Sequence, residues 1–373
     1  MKGMIIKMNV VEDFIFREHM KNIDDRFEDF SRECMEMQTP ESFSIILSAD
    51  VHYIRKYALY IQSYYKLKEM IDFSGYIGAD LLAVLGDLVD GNTTIKRQYR
   101  DIYDCMGLLK QSKTSSVLLS KGNHDSCEWY AYKNRLEAGN YLTAEDWYIH
   151  AVNPLRVQYP MVLDDENIAG GYYYIDYPMQ KIRVINLNTS DTVAVLDGEG
   201  CLIDDYCSLW KMGLSEKQVR WLTKALTFEE SGWSVVFMAH SFLKDLTGKD
   251  EIISNGDVAW DIIKAFKNKE KGTLENNEEY YESKVEFDFT KNKSNDVLVY
   301  MFGHIHEDVC MEEDGITIVS MENLSTSLKK IKWDDPSEKI TGGWDFVVID
   351  KNTRTFKSKR FRNDSKDRII NLL

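Results

Sequence analysis

The stretch YMFGHIHED, residues 300–308, places two histidines directly after a short apolar run that ends in a glycine. His304 and His306 are two positions apart, and side chains at this spacing leave the same side of an extended backbone. The two imidazoles can therefore converge on one point, where neutral rings are good metal ligands. The chain has only seven histidines, yet this pair by itself leaves a metal site and a solvated loop as open alternatives.

Four other apolar runs end in the same way, with a residue that can bind a metal. FSIILSAD ends at Asp50, LLAVLGD ends at Asp87, and WSVVFMAH ends at His240. SSVLLSKGNHD contains Asn123 near its end. Each run has the length and composition of a buried strand, and helical patterns separate the first three, as in a mainly parallel sheet. Ligands bind beyond the carboxyl ends of strands in such sheets. Five endings of this kind therefore favour a metal site over five unrelated loops.

The composition is that of a globular protein, with 44% hydrophobic and 29% charged residues. A formal net charge of −15 works against extended binding to a phosphate backbone, so nucleic acid is a disfavoured partner. No apolar run has the length of a membrane span, and the N-terminus lacks the pattern of a signal peptide. The six cysteines form no CxxC pair, which is typical of reduced thiols. These features predict a cytoplasmic protein with no membrane partner.

The chain is predicted to consist of an N-terminal amphipathic helical extension over residues 1–40 and one large domain over 41–373. Apolar residues in 12–37 recur at spacings of four and three, which predicts a helix. Its apolar stripe either contacts a second subunit or packs on its own domain. The second interpretation, with a monomer, is preferred, although the oligomeric state stays open. A polar insertion is expected near 242–296, and its part over 264–296 has the composition of an added segment or a mobile cap.

The segment from Lys351 to Arg368 is basic, with eight Lys or Arg residues against two Asp residues. Such a segment could attract phosphate. A solvated edge strand, on which charged side chains discourage pairing with other chains, is the preferred interpretation.

Taken in order, the blocks SADVH, GDLVD, GNHD, MAH and GHIH resemble the calcineurin-like metallophosphoesterase superfamily, whose pattern is DxH, GD, GNH[DE], H and GHxH. The match spans about residues 43–310, and its continuation through 170–178 and 181–191 is similar to bacterial and phage members. As a set the five blocks are highly specific. The resemblance implies an α/β fold of the α+β kind, a four-layer α/β/β/α sandwich of two mixed sheets, which here would occupy 41–373.

The resemblance also implies two metal ions. The residues that it assigns to them are Asp50, His52 and His306 for one ion, Asn123, His240 and His304 for the other, and Asp87 as the bridge. Oxygen and imidazole ligands without thiolate suit divalent or trivalent transition metals, and manganese or iron is expected ahead of zinc. Two such cations can clamp the attacking and leaving oxygens of a displacement, and a hydroxide between them is available near neutral pH.

Two residues of the GNHD block are expected to be catalytic rather than metal-binding. His124 would protonate the leaving oxygen as a general acid, and Asp125 is placed in sequence to orient it. Asp90 is interpreted as a hydrogen-bonding loop residue outside the ligand set. The implied reaction is hydrolysis of a phosphate mono- or diester in a small phosphorylated substrate. A nuclease of the same fold and a regulatory metal-binding module without turnover are the alternatives. The loops over 126–170 and 242–296 are predicted to select the substrate.

Overall fold

The structure is a computed structural model of the chain. It describes residues 23–55, 58–203, 207, 211–246, 252–325, 342–361 and 367–373. The first part of the helix predicted over 12–37 lies outside these residues. No helix among the described residues is long and apolar enough to cross a membrane.

The described elements alternate between helices and strands along most of the chain. The helices are α1 (Ile23–Met37), α2 (Ala58–Phe73), α3 (Ile95–Leu109), α4 (Glu128–Lys133), α5 (Ala144–Trp147), a π-helical turn (Tyr148–Val152), α6 (Asn153–Arg156), α7 (Glu216–Ala225) and α8 (Gly256–Asn268). The strands are β1 (Phe43–Ser48), β2 (Leu81–Val84), β3 (Ser116–Leu119), β4 (Val162–Leu163), β5 (Tyr173–Tyr177), β6 (Ile182–Leu187), β7 (Lys211–Gly213), β8 (Ser234–Ala239), β9 (Ile252–Ser254), β10 (Lys271–Asn276), β11 (Ser283–Asp288), β12 (Asp296–Phe302), β13 (Cys310–Glu313), β14 (Ile316–Ser320), β15 (Asp345–Asp350), β16 (Thr355–Arg360) and β17 (Arg368–Asn371).

Two large mixed sheets organise the fold. The first has the strand order β17-β16-β15-β1-β2-β3, in which β1, β2 and β3 are parallel and β15 to β17 are antiparallel to their neighbours. The second has the order β13-β14-β12-β8-β6-β5-β4, with β6, β8, β12 and β14 parallel. The prediction of two mixed sheets is confirmed. The central parallel strands of each sheet end at one edge, which brings five predicted site segments together.

The strand β8 shows how the sheets and helices stack in layers. Its sequence SVVFMA is apolar at almost every position, as expected for a strand that is buried on both faces. Val236 and Met238 belong to the core between the two sheets. Val235 and Phe237 belong to a second core that also contains apolar residues of α7 and α8. The second sheet therefore has the first sheet on one face and helices on the other, as the four-layer prediction requires.

Helix α1 packs against its own domain. Phe27 and Phe30 are buried in the same core as the first sheet. The ring of Phe30 lies 5.3 Å from that of Phe73, 5.5 Å from Trp344 and 5.0 Å from Phe361, measured between centroids. The apolar stripe of this helix is thus covered by the chain itself. The monomeric state stays a prediction.

The range 242–296 contains both core and peripheral structure. Helix α8 contributes Trp260 and Phe266, both fully buried, to the core on the outer face of the second sheet. The strands β10 and β11 form a separate antiparallel hairpin. Val285 and Phe289 anchor this hairpin in the same core. Within 264–296 the polar sequence therefore corresponds to an ordered hairpin whose outer face is charged.

The basic segment near the C-terminus differs from the expected solvated edge strand. β16 lies between β15 and β17 rather than at the edge. The Arg360 side chain is only 4% exposed and pairs with carboxylates of Asp345, Asp308 and Glu322. The prediction was wrong because the acidic partners lie 15 to 52 positions away in sequence, beyond the reach of local pattern.

Candidate metal centre

The candidate ligands lie after the ends of five strands, at one edge of the sandwich. Asp50 follows β1, Asp87 follows β2 and Asn123 follows β3, all in the first sheet. His240 follows β8 and His304 follows β12 in the second sheet. Because these strands are parallel within each sheet, their carboxyl ends meet at one edge, where α/β proteins bind ligands. The backbone N–H of Gly303 donates to the carbonyl of His240 at 2.9 Å, which fixes the two histidine loops side by side.

Three side chains form the first ligand group. Asp50, His52 and His306 each offer one ligand atom, and these atoms lie within 4.8 Å of one another. The Nε2 atoms of His52 and His306 are 3.2 Å apart. His306 Nε2 is also 3.2 Å from Asp50 Oδ1. One ion placed among these atoms could be bound by all three residues.

A second group lies beside the first. Asp87, His240 and His304 also offer atoms within 4.8 Å of one another. His240 Nε2 is 3.2 Å from His304 Nδ1 and 2.8 Å from the amide oxygen of Asn123. The structure thus brings together the four residues that the family resemblance assigned to the second ion and the bridge.

Asp87 lies between the two groups. Its Oδ2 atom is 3.5 Å from His52 Nε2 in the first group and 3.4 Å from His240 Nε2 in the second. Its other oxygen, Oδ1, accepts a hydrogen bond of 2.9 Å from the backbone N–H of His124. A single carboxylate with contacts on both sides has the placement that a bridging ligand needs.

Five of the candidate ligands have a left-handed backbone. They are Asp50, His52, Asp87, His304 and His306, with φ between 46° and 64°. This conformation is uncommon for residues other than glycine. Such strain persists at functional sites where the surrounding structure holds it in place. Here the carboxylate of Asp50 accepts the backbone N–H of His304 at 2.9 Å, so one ligand fixes the loop of another.

Two glycines of the sequence blocks lie so close to candidate ligands that a side chain would not fit. A Cβ at Gly86, which has φ of +82°, would lie 2.5 Å from His240 Nδ1. A Cβ at Gly122 would lie 2.1 Å from Asp87 Oδ1. The GD and GNH blocks therefore need glycine because candidate ligands pack directly against its backbone.

The electrostatics of the site favour ionised carboxylates and a neutral imidazole. Burial would raise the pKa of Asp87, but the neighbouring His240 and His124 outweigh it and hold that pKa well below its ordinary value. Burial likewise opposes ionisation of Asp50, and the hydrogen bond from His306 lowers its pKa nevertheless. Burial lowers the pKa of His52 to about 3, which leaves its ring free to act as a ligand.

This donor set fits two transition-metal ions. Asp50 and Asp87 are almost completely buried, at 0% and 1% exposure, and buried carboxylates require cations as partners. Carboxylate, amide and imidazole atoms without thiolate suit manganese, iron or zinc. Burial would lower the pKa of His240, but Asp87 raises it to about 10. An ion at this position would therefore displace a proton.

His124 lies next to the ligands but is held differently. Its Nδ1 is 2.6 Å from the backbone carbonyl of Asp90, an acceptor that assigns the proton to this nitrogen. Its ring stands edge-on to that of His52, with 4.7 Å between centroids. Nε2 is thereby left as the ring atom available to a substrate.

Asp125 has a different role from the one expected. Its carboxylate accepts the backbone N–H of Gly122 at 2.7 Å and that of Val89 at 3.1 Å. It therefore ties the GNHD loop to the GDLVD loop, and the orienting contact of the His124 ring comes from Asp90. Burial, helped by the charge of Asp87, raises the pKa of Asp125 to about 7.

The interpretation of Asp90 as a hydrogen-bonding loop residue did not foresee that it lies against the His124 ring. Its carboxylate forms a third group with His52 and His124, with one atom of each within 4.8 Å. Burial raises the pKa of its carboxyl. The available signal was the GDLVD spacing, which places a second acid three residues after Asp87.

Comparison with known proteins identifies the family and the fold. The model of the calcineurin-like phosphoesterase family matches residues 43–308. Among solved structures, a dimetal phosphatase from Danio rerio superposes with a TM-score of 0.56 at 15% identity, over 88% of this chain and 98% of that one. A protein of Thermus thermophilus matches at 11% identity and a TM-score of 0.40, over 86% of this chain and 100% of that one. No curated protein sequence matches the chain.

The fold and the paired ligand groups define a metal-dependent phosphoesterase. The chain belongs to the calcineurin-like phosphoesterase family, whose model covers more than half of its length.

Proposed function

We propose that the chain hydrolyses phosphate esters with two transition-metal ions. The observation that carries this proposal is the Asp87 carboxylate, which contacts His52 on one side and His240 on the other. Asp50, His52 and His306 would hold one ion, and the group around Asn123 would hold the other. When bound, two cations would polarise the phosphoryl group and allow water to attack it near neutral pH. Manganese or iron is proposed ahead of zinc.

His124 is proposed to act as the general acid. With Nδ1 donating to the carbonyl of Asp90, a proton on Nε2 faces the site and can pass to the leaving oxygen. Proton transfer of this kind contributes about 10²–10⁴-fold to rate. Asp125 supports the step indirectly, since its carboxylate ties the loop of His124 to the loop that contains Asp90.

The compartment and assembly proposed are the cytoplasm and a monomer. The six cysteines are free thiols, and five of them are buried, which suits a reducing compartment. The apolar stripe of α1 is covered by Phe73, Trp344 and Phe361, so it does not need a second subunit. The similarity to bacterial and phage members stays a prediction.

Hydrolysis of two synthetic esters tests the proposal. Protein purified without chelator should cleave p-nitrophenyl phosphate, bis(p-nitrophenyl) phosphate, or both, which also separates monoesterase from diesterase activity. Removal of the metals by a chelator should abolish the rate, and added Mn²⁺ or Fe²⁺ should restore it. A metal-free preparation with the full rate would contradict the mechanism. A metal-loaded protein that cleaves neither ester would support a binding module without turnover.

A further inference from the structure

A cavity lies beside the second ligand group. It has a volume of about 200 Å³, and we call it the side pocket. Its walls include Lys121, Glu128, Tyr141, Ala144, Ser190 and Asp191. It is smaller than the roughly 300–1,000 Å³ of pockets that hold drug-sized ligands. A small molecule of a few carbon atoms is therefore the appropriate size of occupant.

The side pocket is next to the candidate reaction centre. Lys121 precedes the ligand Asn123 by two residues, a separation of at most about 7.6 Å between Cα atoms. On the second sheet, the loop that contains Ser190 follows β6, the strand beside β8. The backbone N–H of Ser241, the residue after His240, donates to the Thr189 hydroxyl at 3.2 Å. The pocket thus adjoins the two strand ends that carry Asn123 and His240.

The charges of the walls limit what the side pocket can hold. Lys121 and Glu128 are each 5% exposed, so both charges are largely removed from bulk water. The Lys121 ammonium donates to the carbonyl of Ser190 at 3.2 Å. Asp191 adds a second carboxylate, which accepts the hydroxyl of Ser215. Two carboxylates and one ammonium repel a further anion, whereas they offer acceptors and a donor to hydroxyl groups.

We propose that the side pocket binds the leaving group of a phosphate monoester, and that this leaving group is a small, uncharged polyol. The inference rests on the proposed function, because it needs the phosphoryl group at the ligand centre. The ring of Tyr141 gives the carbon face of such a molecule an apolar wall. Carboxylates hydrogen-bond the hydroxyls, as acidic residues do with ribose hydroxyls in dinucleotide sites.

Three alkyl phosphates with the same kind of leaving oxygen test the specificity. Glycerol 1-phosphate carries the polyol, 3-phosphoglycerate has a carboxylate in place of the terminal hydroxymethyl group, and methyl phosphate leaves the pocket empty. We expect kcat/KM for glycerol 1-phosphate to exceed that for each of the other two by about tenfold or more. One well-placed hydrogen bond is worth about this factor, and so is the repulsion of one charge by a partly screened carboxylate. Equal values for the three esters would overturn the proposal.

Two variants connect that preference to the side pocket. Ala144→Trp fills the cavity and should lower the ratio of glycerol 1-phosphate to methyl phosphate by at least about tenfold. Glu128→Gln removes one carboxylate and should narrow the discrimination against 3-phosphoglycerate. Ala138→Trp is the matched control, because this alanine is exposed and lies outside the walls; it should keep the wild-type ratios. All variants should keep the metal content of the wild type, which shows that they fold.

The outcomes separate this inference from the proposed function. A wild-type protein that cleaves none of these esters and neither synthetic ester overturns both. A wild-type protein that cleaves the synthetic esters, with selectivity that Ala144→Trp alters no more than Ala138→Trp does, overturns the side pocket alone.

Discussion

Replacement of Arg360 by methionine should lower the free energy of unfolding by about 3–5 kcal/mol, the usual cost of removing one partner from a buried ion pair. The guanidinium contacts Asp308 at 2.5 and 2.8 Å, Asp345 at 2.6 and 3.3 Å, and Glu322 at 3.0 Å. Asp345 is 1% exposed, and the cation that it would retain among the described residues is Arg368, at 2.9 Å. Because three carboxylates lose a shared cation, the loss should fall in the upper part of that range.

The same change should weaken metal binding. Asp308 is two residues beyond the candidate ligand His306, and its paired oxygens hold that loop against β16. Loss of such a supporting contact lowers metal affinity by about 10–100-fold. Calorimetric titration with Mn²⁺ measures this affinity, and chemical denaturation in the presence of a chelator measures stability without it.

The matched control is Arg354→Met. Arg354 pairs with Asp296 at 2.7 Å, but the two side chains are 32% and 41% exposed, so this change should cost less than about 1 kcal/mol. An Arg360 variant that loses no more stability than the Arg354 variant would refute the reasoning.

The loss of stability caused by Arg360→Met should also depend on pH. Burial opposes ionisation of Asp308, but Arg360 holds its pKa below the ordinary value. A carboxyl group with a lowered pKa stabilises the fold above its unfolded pKa, and that contribution is lost as the pH falls through the folded pKa. The difference between the wild type and Arg360→Met should therefore be full at neutral pH and shrink below about pH 4.

Three further changes test separate parts of the account. His124→Asn should keep both metals and lower kcat by about 10²–10⁴-fold on an alkyl phosphate, with a smaller loss on p-nitrophenyl phosphate; loss of metal would instead make the residue a ligand. Phe30→Ala should lower the free energy of unfolding, measured by thermal or chemical denaturation, by about 3–5 kcal/mol. Replacement of the exposed Met35 by alanine should lower it by less than about 0.5 kcal/mol. Equal losses in the two variants would mean that α1 does not pack as described. Gly122→Ala should reduce metal content, because its Cβ would displace the Asp87 carboxylate, whereas Gly107→Ala has nothing within 4 Å of the new Cβ and should not. Full metal content in the Gly122 variant would contradict the close approach.

The sequence was sufficient for the features that depend on local pattern. Strand β8 could be predicted because SVVFMA is apolar at every position after its first. Helix α7 could be predicted because Ser215 precedes it as a cap, and its hydroxyl accepts the backbone N–H of Gln218 at 3.3 Å. The order of the five blocks was sufficient to predict one metal site, and the family resemblance divided its candidate ligands between two ions. Once the strands are parallel, their ends must meet at one edge of the sheet.

The features that escaped prediction are contacts between distant segments. The carbonyl of Asp90 orients His124 across 34 positions, and a backbone acceptor leaves no signature in the side-chain sequence. Asp125 was assigned the orienting role because it is adjacent in sequence. The burial of Arg360 depends on Asp308, which is 52 positions away. Composition identified that segment as basic, but only the tertiary fold decides which acidic side chain pairs with each basic one.

The number of metal ions per chain is the most direct test of the central claim, that Asp87 joins two ligand groups. Elemental analysis of wild-type protein purified without chelator should give about two transition-metal ions per chain, as a two-metal phosphatase site requires. Asp87→Asn should lose metal and phosphoesterase activity together, while the exposed control Asp288→Asn on the hairpin should match the wild type. A wild-type chain that binds a single ion, or an Asp87→Asn variant that keeps two ions and the full rate, would contradict the account.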